Sequence, residues 1–350
     1  MKLSWDTFDF DIRAPLLTHK GMRPKLLRQL VVRLEWQGLC GLGLAVPAAD
    51  YGTSVESLSD ALGRCVAFLR GRSPDQLEFI LGALPVSDQA SALAAIDMAL
   101  HDLLGQLAGM SVHALLGLGG LALPPTFASI GIVEPDVAAR QAQALARWSC
   151  IKLKMGSTPD LERVRAVRAV HAGLLAVDAN GAWTTQQAVD VVAQLAHIGV
   201  DLVEQPVGRG DLAGLRHVRE HAAIPILADE DCAGVADIVA LSSCVDGVNI
   251  KLLKCGGLRN AHKMIVLARA LGMKVMLGCK PESTISVTAM AQLGGLADWL
   301  DLDGHLLLSN DPYVGVLVED GQVRLPSGPG LGLTRRAPQP SAPHALLEQS

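Results

Sequence analysis

Ile151-Lys152-Leu153-Lys154-Met155 decides how the rest of this 350-residue chain is read. Two lysines two residues apart interrupt a run that otherwise has the composition of a buried strand. Side chains alternate faces along a strand, so both ammonium groups point to the same side. Burying unpaired lysines is expensive, and that side is expected to hold anions, a substrate or an active-site cavity.

Downstream, an apolar run ending in a chemically distinctive residue recurs every 22 to 27 residues: Asp178 in LLAVDANG, Glu204 in DLVEQP, Asp229 in IPILADED, Lys251 in GVNIKLL, Gly278 in KVMLGCK and Asp303 in WLDLDGH. That interval is one strand plus one helix. Between the runs lie helical signals. Thr158 followed by Pro159 reads as an N-cap with proline at N1, with Leu161, Val164, Val167 and Val170 on one face. Thr184 with Gln187 makes a capping box closed by Gly199, and a further helix runs from Gly257 to Gly272. Alternating strand and helix predicts parallel strands with right-handed crossovers. With Phe127 to Ile132 as the first, there are eight strands, the number of a TIM-type α/β barrel.

Residues 1–122 do not follow that period. Leu30 to Glu35 reads as a strand, Gly38 to Gly43 as a turn-rich return, and Pro74 to Gly117 as two or three Ala- and Leu-rich helices, which together make an α+β domain. The barrel then occupies 123–305, and 306–350 is a C-terminal segment with short strand-like pieces near Val314 to Val318. Its tail, rich in Pro, Ala and Ser, is expected to be disordered from about 336. The cluster Gly117, Gly119 and Gly120 precedes prolines, not a helix, and reads as a linker; Gly256 and Gly257 read as a tight strand-to-helix turn.

Half of the residues are hydrophobic, yet no apolar run approaches the roughly 18 residues of a membrane span. Asp6, Asp9 and Asp11 stand where a signal peptide needs apolar residues, so a cytoplasmic protein without a membrane partner is expected. A net charge of −5 and 3% aromatic residues disfavour nucleic-acid binding. Seven scattered cysteines without a Cys-x-x-Cys pair indicate reduced thiols and no zinc site. No histidines have metal-ligand spacing; His101 and His305 read as structural.

In such barrels the chemistry sits at the C-terminal ends of the strands. Asp178, Glu204 and Asp229 end strands three, four and five, an all-oxygen set suited to a hard cation such as Mg²⁺. Lys154 on strand two and Lys251 on strand six face each other across a ring of eight. An atom held between them can lose a proton to one side and gain one from the other. Neighbouring cations, Lys152 among them, and partial burial are expected to lower a lysine pKa toward neutrality.

These residues lie in ALHDLLG, KLK, DANGAW, VEQP, ADE, NIKLLKCGG, GC..ES and GPGLG, and in this the sequence resembles the enolase superfamily, in its muconate-lactonizing-enzyme-like subgroup. The resemblance implies a capping domain, completed by the C-terminal segment, over a modified (β/α)₇β barrel. It implies Asp178, Glu204 and Asp229 as Mg²⁺ ligands and Lys154 and Lys251 as the paired acid and base. The shared step is removal of a proton α to a carboxylate.

Asp301-Leu302-Asp303 is similar to the Asp-x-Asp motif of dipeptide epimerases within that subgroup. Two apart on strand eight, both aspartates are expected to point inward, opposite the metal, and to hold a dipeptide's ammonium group. The reaction implied is Mg²⁺-dependent epimerisation at the α-carbon of the dipeptide's C-terminal residue. Lys152 is expected to touch the substrate carboxylate. Lys280, with His19, Lys20 and Arg23, is expected to meet an acidic side chain, which favours an L-Ala-D/L-Glu type substrate.

The alternatives on the same framework are an o-succinylbenzoate synthase, an N-succinylamino acid racemase or a cycloisomerase, none of which binds an ammonium group at strand eight. A metal-binding scaffold without activity and a Schiff-base aldolase are poorer matches to two lysines and three acids. Three positions depart from the subgroup's pattern: Lys280-Pro281, Ser129 and Leu44. Assembly into a homo-oligomer is left open.

Overall fold

The computed structural model describes residues 1–13, 16–22, 24–86 and 88–336. The expected disordered tail and Arg23 lie outside the described residues.

The chain opens with a three-stranded antiparallel sheet in which Leu26–Trp36 runs between Lys2–Asp11 and Leu39–Ala45. Its central strand is buried on both faces. Leu30, Val32 and Leu34 pack into a helical core with Leu58, Leu62 and Ile96. Val31, with Phe10 and Leu44, joins the core that continues into the second body.

The stretch from Gly38 to Gly43, expected as a return, belongs mostly to the strand Leu39–Ala45. Its glycines mark a close approach instead: a Cβ at Gly41 or Gly43 would run into the carbonyls of Ala99 and Ala95 on the helix Ala90–Ala108. The helix Val55–Leu69 was not read from the sequence, although its signals are present. Ser54 and Ser57 form a reciprocal cap, and Leu58, Ala61, Leu62, Cys65 and Leu69 are buried at helical spacing.

Eight parallel strands follow: Ala128–Ile130, Cys150–Lys154, Leu174–Asp178, Leu202–Glu204, Ile226–Ala228, Gly247–Ile250, Lys274–Gly278 and Trp299–Asp301, each bonded to its neighbour in sequence order. The ring closes where Phe127 N donates to Leu300 O at 2.9 Å and Thr126 bridges Leu300. The interior is stoppered by Phe127, Cys150, Ala176, Leu202, Leu227 and Met276. Because strand side chains alternate, the residues two further on face inward as well. They are Ser129, Lys152, Asp178, Glu204, Asp229 and Gly278, so the polar site rests directly on an apolar plug.

Crossover helices behave as their ends dictate. Thr184 and Gln187 cap Thr185–Ile198 reciprocally, and Gly199 ends it at φ +93°. The Thr158 N-cap expectation fails. That helix begins at Asp160 and ends at Arg168, and the Asp160 carboxylate, not Thr158, takes the amides of Gly156 and Ser157. Val170 therefore falls beyond the helix and is exposed.

Residues 306–336 run back along the first body. Asn310 bonds Asp9 and Asp11, Val112 N donates to Gly330 O at 2.8 Å, and the buried Asp102 carboxylate joins Leu42 N to Leu331 N. From the other side, the fully buried Asp97 of the helix Ala90–Ala108 accepts the amides of Leu258 and Arg259. It thereby caps the helix Leu258–Ala270 that follows the Lys251 strand. Gly257, at φ +110°, is a glycine because any side chain there would strike Asp97. Among the described residues no helix is long and apolar enough to cross a membrane.

Candidate active site

At the C-terminal ends of the strands lies a cavity of about 380 Å³. Its floor is set by strand ends, and its roof comes from the first body through the Leu17–Met22 hairpin and the Ala49–Tyr51 turn. Lys154, Lys251, Asp229, Asp301, Asp303 and Lys280 line it together. The register explains who sits where. Lys154 is level with Asp178, and Asp178 with Glu204, whereas Lys152 is level with Ala176 in the plug.

That one step makes Lys152 a different group from Lys154. It has no exposure, does not line the cavity, and holds Glu204 Oε2 at 2.7 Å, Asp301 Oδ2 at 2.7 Å and Asp178 Oδ2 at 3.6 Å. Lys152, expected to touch a substrate carboxylate, lies beneath the floor in this structure and pairs the acids from below. Burial alone would lower its pKa, but Asp301, Glu204 and Asp178 outweigh that and hold it well above the usual lysine value.

The remaining acids are paired in the same way. Lys154 Nζ is 2.5 Å from Asp178 Oδ2 and Lys251 Nζ is 2.6 Å from Asp229 Oδ2. Lys254, also buried, takes Asp229 Oδ1 at 2.5 Å and the carbonyl of Asn249 at 3.0 Å. Four buried carboxyl groups (Asp178, Glu204, Asp229, Asp301) thus face four buried lysines. Burial raises Asp178, but Lys154 and Lys152 draw it down to about 2; Asp229 is likewise held well below its usual value by Lys251 and Lys254. Glu204 goes the other way, to about 7, because burial and the charges of Asp178 and Asp229 exceed the pull of Lys152. A lysine of the pair was expected to have a lowered pKa, and for Lys251 the shift is the other way. It is raised, because Asp229 and Glu204 more than offset its burial.

A hard cation fits this donor set by chemistry: three buried carboxylates on consecutive strands, with Glu204 Oε2 buried and lacking a hydrogen bond despite its ion pair to Lys152. The lysines now occupy the carboxylates. Among the described residues, no three acidic, imidazole or thiol groups stand together as a ready metal cage.

Asp303 also differs from expectation. The strand ends at Asp301, and Asp303 has helical backbone, φ −88° and ψ −4°, at the head of the turn Gly304–Leu307. It still faces the cavity because Ser129 N donates to its Oδ2 at 2.7 Å. Burial and Asp301 raise its pKa to about 6. Asp301 Oδ1 is buried with no partner. Cys279 Sγ fixes this turn by donating to Asp301 O and accepting from Gly304 N, a role its strand-end position hinted at but its pattern did not state.

Of the basic residues expected to meet an acidic side chain, the described ones are engaged already. Lys280 Nζ contacts both oxygens of Asp50, at 2.7 and 2.8 Å, and Lys20 Nζ contacts Glu230 Oε1 at 2.6 Å. His19 Nδ1 is 3.3 Å from Gly156 O. Asp50, Glu230, Asn249 and Lys254 were not singled out from the sequence. Only Lys254 carried a usable signal, since three residues beyond Lys251 on a helical turn is the same face.

Comparison with known proteins agrees with this architecture. Residues 15–117 match the mandelate racemase/muconate lactonizing enzyme N-terminal domain, and residues 136–338 match the enolase C-terminal domain-like family. An L-Ala-D/L-Glu epimerase of Bacteroides thetaiotaomicron is 38% identical over 87% of this chain and 80% of that protein. A hydrophobic dipeptide epimerase of Roseobacter litoralis is 36% identical over 95% and 98%. The crystal structure of a dipeptide epimerase from Enterococcus faecalis V583, complexed with Mg and L-Leu-L-Tyr, superposes with a TM-score of 0.90 at 31% identity, covering 95% of this chain and 99% of that one. Epimerases are isomerases, and this chain is an enzyme of that class. By both of its domains it belongs to the mandelate racemase/muconate lactonizing enzyme family of the enolase superfamily.

Proposed function

We propose that the protein is a Mg²⁺-dependent dipeptide epimerase that inverts the α-carbon of the substrate's C-terminal residue, with L-Ala-D/L-Glu as the type substrate. The observation that carries this reading is the placement of Lys154 and Lys251 on opposed strands of one cavity, with Asp301 and Asp303 on a third side. Two bases facing each other serve a reaction that takes a proton from one face of a carbon and returns one to the other. One lysine enters as the free amine and accepts the α-proton; the opposite lysine, as ammonium, donates to the far face. The reverse assignment runs the reaction backwards.

Asp178, Glu204 and Asp229 would hold the magnesium ion. When bound, it supplies positive charge against the substrate's carboxylate and so makes the α-proton more acidic. Asp301 and Asp303 accept hydrogen bonds from the substrate ammonium, and this separates a free dipeptide from an N-acylated amino acid. Lys152 pairs with Asp301 and Glu204 at the bottom of the site, and the roof from the first body covers it. The names of the relatives support the dipeptide class, and the 38% identical one supports L-Ala-D/L-Glu.

The test is stereochemical. Purified protein with Mg²⁺ is expected to convert L-Ala-L-Glu to L-Ala-D-Glu, seen by chiral chromatography, and to leave N-succinyl-L-glutamate unconverted. Conversion of the N-succinyl compound alone would favour the racemase alternative.

A further inference from the structure

His217 and His221, in RHVREHA, stand four residues apart, a metal-ligand spacing that the histidines were expected to lack. Both lie on the helix Leu212–His221, exposed and one turn apart on the same face. Their ring centres are 4.3 Å apart with the planes inclined at 43°. Two imidazoles bound to one ion at about 2.0–2.1 Å place their ring centres roughly 4.5–5 Å apart, so little movement separates this pair from chelation. Nδ1 of His221 lies 2.8 Å from His217 O. A carbonyl only accepts, so Nδ1 carries the proton and the lone pair is left on Nε2. That is the arrangement of a metal-binding imidazole, whose second nitrogen is steadied by a backbone carbonyl. The surroundings favour a cation as well. His221 is the last residue of the helix, where the macrodipole is negative. The neighbouring cations are turned aside: Arg219 Nε donates to Asp246 Oδ1 at 2.8 Å, and Arg216 donates to Ser243 Oγ at 3.1 Å.

We propose that His217 and His221 form a second metal site, for one borderline divalent transition ion of the Zn²⁺, Ni²⁺ and Cu²⁺ class, with water completing its shell. Imidazole nitrogen suits these ions, whereas the all-oxygen set of Asp178, Glu204 and Asp229 suits Mg²⁺. The chain thus sorts two classes of cation by donor atom. The two places are well separated. Neither histidine lines the cavity, and the helix leads into the strand Ile226–Ala228, so its C-terminus lies where the barrel strands begin, at the end opposite the carboxylates. The site does not depend on which reaction the cavity performs.

The experiment titrates Ni²⁺ calorimetrically into the Mg²⁺-saturated full chain at about pH 7.5, since protons compete with the ion for imidazole. It compares the wild type with His217→Ala, His221→Ala and His197→Ala. His197 is an exposed histidine of the helix Thr185–Ile198, which packs beside Leu212–His221, and serves as the control. All three side chains are exposed, so their removal leaves the core intact. The wild type is expected to bind one Ni²⁺ whose affinity falls at least about tenfold in His217→Ala and in His221→Ala alike. His197→Ala is expected to keep it. A wild type that binds no Ni²⁺, binding that survives unchanged in either variant of the pair, or an equal loss in His197→Ala overturns the proposal.

Discussion

Lys154 and Asp178 stand in register on neighbouring strands with Nζ 2.5 Å from Oδ2, so a candidate base is held by a candidate metal ligand. Lys251 and Asp229 repeat the relationship across the barrel at 2.6 Å. Candidate ligand and candidate base are thus coupled: a cation placed on the carboxylates would compete with the lysines for them and would loosen both.

Chelator-treated protein is therefore expected to be inactive and to recover with Mg²⁺. Asp178→Asn and Asp229→Asn are each expected to weaken Mg²⁺ binding at least about tenfold and to lower turnover with it. Calorimetric titration alongside rate measurements checks both. Metal dependence unchanged in both variants would refute the ligand set.

Asp303→Asn isolates the ammonium contact better than Asp301→Asn, because Asp301 also neutralises Lys152. Free dipeptides are expected to lose about tenfold or more in kcat/KM, the value of a charge-assisted hydrogen bond of roughly 1.5 to 3 kcal/mol. An N-acetylated dipeptide, which has no ammonium, should be nearly indifferent. Equal losses for both would assign Asp303 to the turn that Ser129 and Cys279 hold.

Lys152 is expected to matter for stability as well as activity. Lys152→Ala leaves Glu204 and Asp301 short of their buried counter-charge, a change that typically costs about 3–5 kcal/mol. Denaturant unfolding of the metal-free variant measures it, and a stability within about 0.5 kcal/mol of wild type would mean the cluster relaxes to water.

His305 gives a pH dependence of known sign. Burial lowers its pKa to about 4 while the unfolded chain titrates near the ordinary value of 6.5. Between those values the unfolded state binds the extra proton, so stability falls as pH falls through that window, by up to roughly 3 kcal/mol from this residue. His305→Gln should flatten the loss between pH 6.5 and 4. A wild-type and variant difference constant with pH would exclude this origin.

The barrel was legible because its period is coarse and repeated, and because Asp178, Glu204, Asp229 and Lys251 each follow an apolar run. The site's internal wiring was not. Lys152 and Lys154 share a face in the sequence, and only the stagger of neighbouring strands separates one beneath the floor from one in the cavity. Asp303 faces inward through a turn and a Ser129 hydrogen bond, which strand alternation does not describe. Asp50 lies 230 residues from Lys280, and no local pattern marks it apart from a solvated acid. The helix Val55–Leu69 was legible from Ser54 and its buried spacing, and was missed because its composition is less apolar than that of its neighbours.

The most direct test of the two-lysine account is α-proton exchange in D₂O with Mg²⁺, starting separately from L-Ala-L-Glu and L-Ala-D-Glu and read by mass spectrometry and chiral chromatography. Wild-type protein is expected to place one deuterium at the C-terminal α-carbon and to equilibrate the two epimers. Lys154→Ala and Lys251→Ala are each expected to lose epimerisation by at least about a thousandfold, and any residual exchange should be confined to one epimer, a different one for each variant. Full interconversion in either variant would contradict the account.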